Sequence, residues 1–132
     1  MTMHDKIVEE KSQLARFNED GYLCVNQLLQ PDAMRTLNSE IARFIQDVVP
    51  SMHDTQVYYE DKSDITSLKQ LQRMFDYDDY FRDLMENGAA RKIAEEVLQD
   101  EVVPINMQYF NKPAGIGQLT PPHQDGYYCH LK

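Results

Sequence analysis

The sequence predicts an α+β fold with its helices at the N-terminal side and its strands at the C-terminal side. Over 31–49 the residues Met34, Leu37, Ile41, Phe44, Ile45 and Val48 recur at steps of three and four, which is the inner face of a helix. A second helical stretch covers 79–98, and after Asp100 the texture changes to β-branched and aromatic residues in alternation.

Taken in order, 4–17 is rich in helix formers, and Asn18-Glu19-Asp20-Gly21 breaks that helix with turn chemistry. Tyr22-Leu23-Cys24-Val25 is too short for a helix and predicts a buried strand, with Cys24 as a small core residue. Pro31 suits a first helical turn because its missing amide hydrogen would be unpaired there, and Asp32 complements the positive end. That helix leaves Arg35, Asn38, Glu40 and Asp47 to water and ends at Val49, before Pro50.

The polar segment 51–64 has no sustained period and predicts a long loop; 67–74 reads as a short helix or an irregular segment. Asp78 or Asp79 is expected to cap a helix through Phe81, Leu84 and Met85 that stops at Asn87-Gly88. A further helix over 89–98 presents Ile93, Ala94, Val97 and Leu98 on one side. The stretch 102–110 predicts a strand, with Ile105, Met107 and Tyr109 alternating against Asn106, Gln108 and Phe110. Turn residues over 112–117 follow, and Pro121-Pro122 favour an extended approach into His123.

With 132 residues, one domain over 1–132 is expected, and no linker or repeat divides it. The 22 acidic residues outnumber the 13 basic ones, so the surface repels a phosphate backbone and no nucleic-acid partner is expected. No apolar run approaches the ~20 residues of a bilayer crossing, so no membrane partner is expected either. Cys24 and Cys129 stand far apart without a CxxC pair, and the polar start lacks an apolar signal region. Both features suggest a reducing, cytoplasmic setting.

The residues with chemistry lie at the C-terminal end, in Pro122-His123-Gln124-Asp125-Gly126. On a strand, side chains two apart share a face, so His123 and Asp125 reach one metal ion while Gln124 points away. An imidazole and a carboxylate supply two thirds of the facial triad of non-haem Fe(II) oxygenases, which keeps positions open for cosubstrate and dioxygen. Alone, HxD is a weak signal in an acid-rich chain. Its context strengthens it: a glycine-containing loop, two prolines, an alternating strand before it, and Gly126-Tyr127-Tyr128 able to continue the strand.

The run 17–25 (FNEDGYLCV), the helix after Pro31, and above all 107–128 (MQYFNKPAGIGQLTPPHQDGYY) resemble the N-terminal half of the phytanoyl-CoA dioxygenase family. The resemblance implies the first strands of a double-stranded β-helix, or jelly-roll, core, incomplete in this chain. It implies Fe(II) and 2-oxoglutarate as cofactor and cosubstrate, with a small organic molecule hydroxylated as 2-oxoglutarate is converted to succinate. His123 and Asp125 match the first two iron ligands. Met107 matches a position near the 2-oxoglutarate, and Lys69 an upstream lysine contacting the same cosubstrate. A methionine can pack against its methylenes, and a lysine offers a point charge to its carboxylate.

The resemblance also implies a second histidine and a cosubstrate-binding arginine well after the HQD motif, and these are absent from the chain. His130 is an odd number of residues from His123, and His4 and His53 lie outside any predicted strand. An unfinished sheet exposes its edge and inner face, so a missing C-terminal half or a partner is expected to complete it. A non-catalytic fragment or partner-binding module of the same fold is the alternative. Hydrolysis at a zinc centre would need three protein ligands around an open position.

Overall fold

The computed structural model describes residues 12–125. The fold is mixed α+β: two N-terminal helices lead into a small open sheet whose third strand follows two further helices, an arrangement consistent with an incomplete jelly-roll core. Helix α1 (Gln13–Asp20) is capped by Ser12, whose hydroxyl accepts the Ala15 amide, and it runs three residues past the expected stop at Phe17. Gly21 ends it at φ 76°, a left-handed position where a side chain would be strained, and its N–H donates to the Phe17 carbonyl at 2.9 Å. The part of the predicted first helix before Ser12 lies outside the described residues.

The strand expected at 22–25 is not formed. These residues join no ladder, Tyr22 and Cys24 are exposed, and Cys24 is therefore no core residue. An apolar run becomes a strand only when a neighbour takes its backbone bonds, and none lies beside this one among the described residues.

Helix α2 (Pro31–Arg43) starts with Pro31 as expected and passes into a π-helical turn, Phe44–Val48, then a 3₁₀ turn, Val49–Ser51. Looser and then tighter winding at one end rotates the late residues inward: Phe44 and Val49 are buried, whereas Met34, on the early turns, is exposed. Segment 51–64, expected as a loop, contains a 3₁₀ turn, Asp54–Gln56, and strand β1 (Val57–Tyr59). Segment 67–74 contains strand β2 (Leu68–Leu71), followed by a 3₁₀ turn, Met74–Asp76. Lys69 therefore sits on a strand.

The sheet order is β1-β2-β3, all antiparallel, with β3 (Tyr109–Phe110) on the far side. Val57 pairs with Leu71 and Tyr58 with Gln70, and an irregularity at Tyr58/Tyr59 shifts Tyr59 onto Leu68. The predicted strand over 102–110 is paired only at Tyr109 and Phe110, opposite Leu71 and Gln70. Upstream it is held by single bonds: the Met107 carbonyl accepts the Met74 amide at 3.1 Å, and Asn106 Oδ1 accepts the Arg73 amide at 3.2 Å. Arg73 adopts a left-handed φ of 56°, which turns the chain out of β2 and ends the ladder there. Met107 and Tyr109 still face the core as expected, whereas Ile105 is exposed.

Helices α3 (Asp79–Asn87) and α4 (Ala89–Leu98) match their predicted spans, with Asp78 as the α3 cap. Gly88 joins them because a Cβ there would stand 2.1 Å from the Leu84 carbonyl oxygen. The core is Phe44, Val49, Met52, Leu68, Leu71, Met74 and Phe81, with Phe81 meeting Phe44 edge to face at 5.1 Å. No helix among the described residues is long and apolar enough to cross a membrane.

Candidate metal centre

Three prolines and no ladder carry the chain from β3 to the predicted ligands. Residues 112–117 turn as expected, with Gly115 at φ 82° and the Gly117 amide bonded to the Pro113 carbonyl at 2.9 Å. Pro121 and Pro122 have no amide hydrogen to give to a sheet, and residues 121–124 belong to none. Asp125 is helical. The pleated strand expected to align His123 with Asp125 is thus not formed: residues 121–124 are irregular and Asp125 has helical backbone.

The two side chains nevertheless meet, with His123 Nε2 and Asp125 Oδ1 3.3 Å apart. On the other side of the ring, His123 Nδ1 is 2.9 Å from the Pro121 carbonyl oxygen. A carbonyl can only accept, so Nδ1 carries the proton of that hydrogen bond. Nε2 is then the nitrogen turned toward the carboxylate. Attraction between it and Oδ1 requires positive charge between them, either a second ring proton or a cation. Metal–ligand bonds of about 2.1 Å at right angles place neighbouring donors about 3 Å apart, close to the separation found here. An imidazole oriented by a backbone carbonyl and a carboxylate beside it are donor types that divalent first-row metals accept.

The pair is open to solvent: the Asp125 side chain is 90% exposed and that of His123 40%. Among the described residues no group of three or more His, Cys, Asp and Glu side chains is placed to hold a metal. His53 is occupied elsewhere, its Nδ1 accepting the Thr55 amide at a short turn; His4, Cys129 and His130 lie outside the described residues, as do Gly126, Tyr127 and Tyr128.

Lys69 lies on β2, and Met107 stands two residues before β3. Met107 packs against the core with its carbonyl tied to Met74. Lys69 Nζ is 3.2 Å from Glu60 Oε1, and its own carbonyl accepts the Asn111 amide at 2.7 Å. The same Glu60 oxygen accepts the Gln118 amide at 3.2 Å, on the loop that leads to His123. The Gln118 hydrogen bond, seconded by Lys69, holds the Glu60 carboxyl below the usual glutamate range.

Sequence reasoning missed Glu60. Its side chain is only 8% exposed, yet it stands in Glu60-Asp61-Lys62-Ser63-Asp64, a run that reads as solvated loop. Its only available signal was Val57-Tyr58-Tyr59 immediately before it, a short β-prone triplet.

An apolar groove of 690 Å³ lies elsewhere, beside β1, lined by residues including Ile45, Val49, Met52, Val57, Tyr59 and Leu68. None of the four predicted site residues lines it.

No curated protein and no solved structure matches the chain significantly. The family model described as Phytanoyl-CoA dioxygenase (PhyH) matches residues 17–132. That span takes in the end of α1, the other helices, the open sheet and the His123–Asp125 approach together, and the chain accordingly belongs to the phytanoyl-CoA dioxygenase family.

Proposed function

We propose that this chain supplies the first two iron ligands, His123 and Asp125, of an Fe(II)- and 2-oxoglutarate-dependent dioxygenase that hydroxylates a small organic substrate. Residues 1–132 form, in this reading, the N-terminal portion of one dioxygenase-like domain that works in the cytoplasm. Membership of the family supports it, together with one geometric observation: the 3.3 Å approach of Nε2 and Oδ1 with the far ring nitrogen hydrogen-bonded to Pro121. Iron supplies the activation of dioxygen when bound. The chain's own part is to present a neutral Nε2 through the Pro121 carbonyl and a carboxylate beside it. Lys69 and Met107 serve the cosubstrate, as a charge for a carboxylate and an apolar wall. A third ligand and a bidentate arginine come from outside residues 1–132.

Anaerobic loading with Fe(II) tests this. Adding 2-oxoglutarate to the iron-loaded protein, extended to include the later histidine and arginine, should raise a visible absorption band that His123→Ala abolishes. If no band forms, or if His123→Ala leaves it intact, the reading is wrong.

A second reading, a non-catalytic module completed by a partner, is favoured by the lack of a three-residue ligand cluster among the described residues and by the exposed Val103, Ile105, Phe110 and Leu119. A stable complex without turnover would favour it; metal-dependent succinate formation would exclude it.

A further inference from the structure

Glu60 joins three parts of the molecule that are remote in sequence. It follows β1; its Oε1 accepts the Gln118 amide from the ligand-bearing loop, 58 residues on, and lies 3.2 Å from Lys69 Nζ on β2. A carboxylate 8% exposed is costly to leave without donors, and these two satisfy it. The loop around Gln118 has little else to fix it. It joins no ladder after Phe110, Leu119 is 86% exposed, and Gln118 Nε2 reaches only the Ile116 carbonyl of its own turn. Five residues later the same chain must deliver the His123 ring to Asp125.

We propose that Glu60 is a positioning residue for the metal site: its ionised carboxylate anchors the Gln118 amide to the sheet and so sets where His123 is presented. The Gln118 amide first, and then Lys69, keep Glu60 ionised against its desolvation, with Lys112 adding a weaker field from the loop itself. These two ammonium groups and the Gln118 amide are the groups that hold Glu60 in its charged form. The proposal rests on the reading of His123 and Asp125 as metal ligands, but the anchor itself is observable without metal. Substitution of partners outside the ligand set typically weakens metal binding on the order of ten-fold to a hundred-fold.

The experiment uses the full chain, stripped of metal, with Co(II) as the probe. In the metal-free protein, the Gln118 amide proton resonance should move with a carboxyl titration whose midpoint lies below the usual glutamate range, and Glu60→Gln should abolish that movement. In Co(II) titrations at neutral pH, Glu60→Gln should weaken binding at least ten-fold. Gln118→Pro removes the amide donor, at the cost of the Nε2 contact to Ile116, and leaves Glu60 and Lys69 facing each other, so it should weaken Co(II) similarly even if Glu60→Gln folds poorly. Gln118→Ala, which keeps the amide and loses the same side-chain contact, should bind as the parent does. His123→Ala separates the two failures. If it abolishes Co(II) binding while Glu60→Gln and Gln118→Pro bind as the parent does, or if the Gln118 resonance does not titrate, the positioning role of Glu60 is overturned. If His123→Ala leaves Co(II) binding unchanged, the metal reading falls, and the role of Glu60 toward a metal falls with it.

Discussion

A single carboxylate oxygen does two jobs at Glu60, and its protonation state decides both. Its carboxyl is held below the usual range chiefly by the Gln118 amide. A lowered folded-state value means stabilisation that is present above the unfolded glutamate value and lost as pH falls through the folded one. Glu60→Gln should therefore melt below the parent at neutral pH and converge with it in acid, where the parent's Glu60 is itself neutral; thermal melts across pH check this. Parallel curves at all pH values would show that the charge contributes nothing. His123 and Asp125 could be singled out as candidates from the sequence because HxD behind two prolines is a local pattern. Glu60 was not, because its meaning lies in an amide 58 positions away and no local period records such a pairing.

Among the elements, helices were read well and strands poorly, for a physical reason. The inner face of α2 and the spans of α3 and α4 are local properties of period 3.6 and of caps. Strands of two to four residues carry too few alternations to register, so β1 was read as loop and β2 as a short helix or irregular. At 22–25 the opposite error arose, because apolar content without a neighbouring strand leaves the backbone unpaired. The α3 cap also links elements: Asp78 Oδ1 accepts the Tyr80 amide at 3.0 Å, while Oδ2 takes Arg43 Nη2 of α2 at 2.7 Å. Arg43 is held further in its charged form by this bond and by Glu40. Asp78→Ala should cost about 1 kcal/mol from the cap alone. Asp78→Asn, which keeps an acceptor for Tyr80, should recover much of that loss in chemical denaturation; equal losses for the two would assign the effect to the Arg43 pair instead.

At the scale of the molecule, seven buried hydrophobic residues among those described hold the helices to an open sheet of β1, β2 and β3, and Phe44 is fully enclosed among them. The π-helical turn delivers Phe44 to Phe81, so one ring couples α2 to α3. Phe44→Ala should destabilise by about 3–5 kcal/mol, read as a lower denaturant midpoint; a loss under about 1 kcal/mol would mean that the core closes without it. The α+β class was legible from the helical periods and the alternating segment, whereas the extent of the sheet was not, since among the described residues β1 and β3 each have an unpaired edge whose covering no local pattern specifies.

In the proposed function, His123 and Asp125 act on one cation as a unit. Anaerobic calorimetric titration of Fe(II) into the parent, His123→Ala, Asp125→Ala and the double variant tests it most directly. Either single substitution should remove nearly as much affinity as both together, because half of a chelating pair has little hold on the ion. Two independent, additive losses, or binding that survives the double variant, would contradict a shared site.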